Sequence, residues 1–149
     1  MNQNEWAQKK AEQIRKQRGG GEDDKKVRKE VGELKRSQMP RMWTETRQSL
    51  RRRMDLINES LGEHMMEWAG LDANKVVVRA LDAVDQLLSV TYHPDVLVIR
   101  CEYPNGREEY RPKVTTNKEV VLLEGRGDEK RADELAEHIF DKFTAGLIG

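Results

Sequence analysis

The chain has few of the residues that build special chemistry. Its 149 residues include one cysteine, Cys101. No intrachain disulfide can form, which fits a reducing compartment and excludes a stapled secreted scaffold. Only 5% of the residues are aromatic, so a base-stacking surface would have few platforms. No apolar run approaches the ~20 residues of a membrane helix. The opening "MNQNEWAQKKAEQIRK" lacks the apolar stretch of a secretory signal. The expectation is a cytoplasmic protein with no membrane partner.

Catalytic signatures are equally scarce. The three histidines are His64, His93 and His138. His64 has Glu63 and Glu67 beside it on one helix and His138 has Asp141 one turn on, but each is a two-ligand fragment, and zinc needs three or four ligands. Cys101 and His93 are the residue types of a nucleophile–base pair. The strand register derived below separates them, and Cys101 reads as a small buried hydrophobe. "HPD" is turn chemistry. "EGRGDE" lacks the phosphate-cradling GxxxxGK[ST] pattern. The paired carboxylates Asp23–Asp24 and Glu108–Glu109 sit in polar runs with no sign of a raised pKa. No enzyme activity, metal, cofactor or small-molecule substrate is therefore expected.

What the chain has is charge, unevenly placed. Residues 1–53 carry 16 Lys/Arg against 8 Asp/Glu, and residues 54–149 carry 11 against 19. The neutral total hides a net +8 followed by a net −8. Such a split points to an anionic partner for the first part, or to attraction between the parts.

Residues 1–37 read as a charged helical arm. Trp6, Ala7, Ala11 and Ile14 form one thin apolar stripe, and Val27, Val31 and Leu34 another, with a hinge at Gly19–Gly21. Neither stripe is wide enough to hold a helix alone in water. Pro40 suits a first helical position, so a long helix is expected over 40–69. Its line is Trp43, Leu50, Met54, Ile57, Leu61, Met65 and Trp68, at helical spacing from Leu50 onward. The arginines Arg41, Arg47, Arg51, Arg52 and Arg53 crowd its front, and Glu59, Glu63 and Glu67 trail behind. That order opposes the helix dipole. The opposition vanishes if two such helices pair antiparallel, each arginine end meeting a glutamate end across the apolar seam.

Beyond the helix the pattern turns to β. Residues 75–85 fit two patterns: Val77, Ala80, Leu81, Val84 and Leu88 have helical spacing, while the β-branched run Val76–Val78 favours a strand over 75–81 with a turn near Asp82–Asp85. A tight turn at Pro94–Asp95 would set Leu88 against Cys101, Val90 against Ile99 and Tyr92 against Leu97. Asn105–Gly106 favours a type I′ hairpin and would set Cys101 against Tyr110, Glu102 against Glu109 and Arg100 against Arg111. A further strand is expected in "VVLLEG". The last element is an amphipathic helix over 129–144, with Asp128 as its cap and Ala132, Leu135, Ala136, Ile139, Phe140 and Phe143 on its apolar face.

The expected fold is α+β. A charged helical arm (1–37) precedes a domain (38–149) with a long helix, an antiparallel four- or five-stranded meander within 75–124 and a covering C-terminal helix. The expected function is a non-enzymatic protein–protein interaction module. Its partner would be a second copy of the chain or another protein, met through the seam from Trp43 to Trp68. Nucleic acid, held by the five arginines through salt-sensitive phosphate contacts, is the alternative partner.

Overall fold

The computed structural model describes residues 2–17, 22–81, 86–125 and 127–148. The expected hinge at Gly19–Gly21 and turn at Asp82–Asp85 lie outside them. The chain forms two compact units, Met1–Leu34 and Lys35–Gly149. The first holds α1 (Gln3–Gln17) and the start of α2 (Glu22–Leu61). Its large apolar side chains Trp6, Ile14 and Val27 are exposed.

The second unit is α+β. The remainder of α2 leads into strands β1 (Met66–Asp72), β2 (Lys75–Ala80), β3 (Leu87–His93), β4 (Val98–Tyr103), β5 (Gly106–Val114) and β6 (Val120–Leu123), then α3 (Ala132–Ile148). The strands form one antiparallel meander in sequence order. The sheet has six strands, against the four or five expected.

The extra strand comes from where α2 ends. The helix stops at Leu61 rather than at 69, and Gly62 follows with φ +67°, the left-handed geometry a glycine accepts without strain. Asn58 then fastens the turn. Its Oδ1 accepts from the Met65 and Met66 amides at 3.0 Å each, and its Nδ2 donates to the Met66 carbonyl at 3.0 Å. Met65 and Trp68 continued the helical spacing by coincidence, because Met66 and Trp68 also fit the two-residue repeat of a strand. Nor does the helix begin at Pro40. That proline lies inside α2, so the arginines sit mid-helix and the reversed charge order largely dissolves.

Both hairpins differ from expectation by two residues of register. Val90 pairs with Cys101 and Tyr92 with Ile99. The β3–β4 loop has four residues, in which the Val96 amide bonds to the His93 carbonyl and Leu97 takes φ 55°. In the next hairpin Arg100 pairs with Glu109, Cys101 with Glu108 and Tyr103 with Gly106, so the turn is Pro104–Asn105. In the second hairpin this puts Pro104 at the first central position, where its fixed φ belongs; in the first, Pro94 holds that position in either register and the shift comes from the longer loop. A two-residue slip preserves which face each side chain takes, so the apolar face expected for β3 and β4 is kept. It replaces like-charge pairs with opposite ones: Arg100 and Glu109 now bond at 2.8 Å.

The core lies on one face of the sheet. Val76, Val78, Leu88, Val90, Ile99, Cys101, Tyr110 and Leu122 meet Met39, Trp43, Leu50 and Met54 of α2 and Leu135, Ile139 and Phe143 of α3. α3 starts at Ala132 rather than 129, and Glu134 reaches back to the Arg131 amide at 3.2 Å. That is one half of a capping box.

Candidate functional site

The expected seam is divided among three elements. Trp43, Leu50 and Met54 are buried in the domain's own core, with the Trp43 ring stacked on Tyr92 at 5.9 Å. Ile57 is half-buried against that core. Leu61 is exposed at the helix end, Met65 lies in the connection, and Trp68 is a half-buried residue of β1. No single apolar ridge runs from Trp43 to Trp68.

The five arginines are likewise dispersed. Arg41 bonds Glu45 at 2.9 Å, Arg51 bonds Asp55 at 3.3 Å, and Arg53 bonds Asp133 at 3.1 Å with Glu137 at 3.7 Å. Arg47 donates to the carbonyls of Asp72 and Ala73 at 2.6 and 2.8 Å, and Trp43 Nε1 donates to the same Ala73 carbonyl at 2.7 Å. Arg52 is exposed and makes none of these contacts. Four of the five guanidinium groups contact the protein itself, those of Arg41 and Arg51 through single exposed pairs one turn apart on the helix.

A second pattern emerges on α2. Arg47 reaches the β1–β2 turn, the Arg51 guanidinium lies 5.5 Å from the centre of the Trp68 ring, and Asn58 holds Met65 and Met66. The helix therefore runs antiparallel along β1 and clamps it at three points. Gly70 lets the Arg47 side chain pass, for a Cβ there would sit 2.7 Å from its Nη2. Between helix and strand is a depression of about 350 Å³ lined by Trp43, Thr44, Arg47, Gln48, Arg51, Trp68 and Ala73.

The two edges of the sheet differ. Beyond β6, Leu122 and Lys130 exchange two backbone hydrogen bonds of 2.8 Å, a single bridge on that side. The outer side of β1 pairs with no strand among the described residues. Asn58 bonds the outward amide and carbonyl of Met66, a bulge interrupts the strand between Gly70 and Asp72, and Ala69, Gly70 and Leu71 are exposed.

The sequence reading missed a polar cluster centred on Glu108. This carboxylate lies on the core face beside Cys101, and its side chain is only 11% exposed. It accepts from the Tyr103 hydroxyl at 2.9 Å and meets His138 Nε2 at 3.2 Å, with Lys142 Nζ at 3.6 Å. Lys142 also stands 5.0 Å from the Tyr103 ring centre. Burial pushes the Glu108 carboxyl up, but hydrogen bonds from Tyr103 and His138 outweigh it and hold the group below the ordinary range. Glu124 is pushed up by burial and by sharing a hydrogen bond with Glu108. Burial also raises the Cys101 thiol and the Tyr103 phenol, so neither is an available nucleophile.

Split carboxylates can serve acid–base chemistry, but a substrate needs a place to bind. Of this cluster, Lys142 lines a surface depression of about 190 Å³ together with Gln86, Pro104, Asn105, Phe143 and Gly146. The cluster fastens one flank of α3 to β4 and β5. Asp133 fastens the other flank to α2, accepting from Ser49 at 2.5 Å and from Arg53. Among the described residues no group of three His, Cys, Asp or Glu could hold a metal ion, and no helix is long and apolar enough to cross a membrane.

No protein-family model, curated protein or solved structure matches the chain.

Proposed function

We propose that the chain is a non-enzymatic protein–protein interaction module that associates with itself. The observation that carries this reading is the open edge of β1. No described strand lies beside the outward backbone groups of Trp68 and Gly70, while Asn58 holds those of Met66 and a single bridge, Leu122–Lys130, covers the opposite edge. Backbone donors and acceptors along an edge are a template for another strand. The competing chemistries have less behind them: four of the five arginines already serve the protein's own contacts, and the Glu108 cluster joins a helix to the sheet.

Sedimentation equilibrium of the full chain between 1 and 100 µM tests this. The expected result is a mass that rises toward the dimer across the range. A monomer throughout overturns the reading. Binding to random duplex DNA that collapses between low and high salt would favour the nucleic-acid alternative instead.

A further inference from the structure

We infer that the depression between α2 and β1 binds a small aromatic anion, a planar ring that bears a carboxylate or a phosphate. This goes beyond self-association and does not depend on it. Thr44, Arg47, Gln48 and Arg51 recur at i, i+3, i+4 and i+7, so one face of α2 supplies a polar wall. Trp68 of β1 lines the other side, and Trp43, otherwise part of the core, lines the same space. At about 350 Å³ the depression falls within the size range of small-molecule sites.

Charge selects an anion. The lining holds two arginines and no carboxylate. Two depressions on the α3 side instead mix their arginines with Glu45, Glu119 and Asp133. Arg47 is anchored without being neutralised. Its Nη1 donates to the Asp72 and Ala73 carbonyls at 2.6 and 2.8 Å, and it forms no ion pair among the described residues. Arg51 uses Nε on Asp55, an exposed pair at 3.3 Å, which leaves the Nη side of its fork. Such forks match the oxygens of a carboxylate or a phosphate.

The rings select the rest of the ligand. The Arg51 guanidinium lies 5.5 Å from the Trp68 ring centre, so a cation and an aromatic surface stand within reach of one small molecule. Trp68 is half-buried and keeps part of its indole accessible. Trp43 is fixed by its Nε1 bond to the Ala73 carbonyl at 2.7 Å and by its stack on Tyr92. A flat ring laid against Trp68 sets its charged head beside Arg51 and Arg47, and ring contact adds to the apolar area covered. Because Arg47 and Trp43 are already held, little ordering is needed when the ligand arrives.

Nitrogen–proton correlation NMR of the full chain reads this site. Of the three tryptophans, Trp43 and Trp68 line the depression and Trp6 does not, so their indole N–H signals, assigned with Trp6→Phe and Trp68→Phe, locate the binding. The probes are AMP and naphthoate, against adenosine, naphthol and inorganic phosphate, each of which lacks one half. The expected result is a saturable shift of the Trp68 signal with at least one of the two anions, with a dissociation constant below about 1 mM and Trp6 unmoved. A response to AMP alone assigns a phosphate head, and to naphthoate alone a carboxylate. Arg51→Gln, at an exposed position, is expected to weaken binding about tenfold, with Arg51→Lys, which keeps the charge and loses the fork, in between. No shift with either anion up to about 5 mM, equal binding of the half-ligands, or an Arg51→Gln chain that binds as its parent does, overturns the site.

Discussion

The two flanks of the sheet are held by different chemistry. On the α2 side, Arg47 and Asn58 bond backbone groups and Arg51 lies over an indole. None of those contacts depends on a carboxylate, and the strand they clamp has an open edge. On the α3 side, Glu108, Glu124, His138 and Lys142 converge, and the edge beyond carries the single Leu122–Lys130 bridge. The β1 flank is held by bonds to backbone groups and by a ring contact, the α3 flank by a cluster of titratable side chains.

The largest expected effect lies on the α2 side. Asn58→Ala removes three hydrogen bonds at the turn from α2 into β1. Unpaired backbone groups there should cost about 2–3 kcal/mol, read as a lower midpoint in urea. A loss within about 0.5 kcal/mol would show that water replaces Asn58 and that the clamp contributes little.

On the α3 side, Glu108→Ala should destabilise by about 1–3 kcal/mol, because the Tyr103 hydroxyl and His138 lose a shared acceptor. Equal stability would mean that the cluster is incidental.

The pH dependence sharpens the contrast. Glu108 and Asp133 are held below their ordinary values. Their contributions are present above the unfolded carboxylate range, ~3.9–4.3, and are lost as pH falls through the lower folded values. Glu124 is raised, so its charged form opposes folding and protonation relieves that as pH falls through its raised value. Melting temperature should therefore rise slightly on mild acidification from neutral pH and then fall in stronger acid. Glu124→Gln should abolish the rise and keep the fall. A variant that keeps both would remove Glu124 from the cluster's titration. The smallest effect belongs to Glu45→Ala, which breaks an exposed pair with Arg41 and should change stability by less than about 0.5 kcal/mol.

Much of this architecture was legible in the sequence. The apolar face of α3 and the inward residues of β3 and β4 followed from periodicity, because burial enforces it. Turn positions were less legible. In the β4–β5 hairpin, proline at the first central position outranked the Asn105–Gly106 signal and moved the register by two; in the β3–β4 hairpin, where Pro94 already held that position, Val96 and Leu97 joined the loop, with Leu97 at φ 55°, and moved the register equally. The end of α2 was masked because Met65 and Trp68 kept helical spacing past Gly62. Glu108 could have been found. It shares parity with Tyr110 on β5, so alternation already turned it inward, but its neighbour Glu109 made the pair look like a solvated run. The open edge of β1 was beyond reach while 66–69 read as helix.

The most direct test is sedimentation equilibrium of the natural chain over 1–100 µM. The account predicts a dimer forming by mass action as concentration rises. A natural chain that stays monomeric would contradict it.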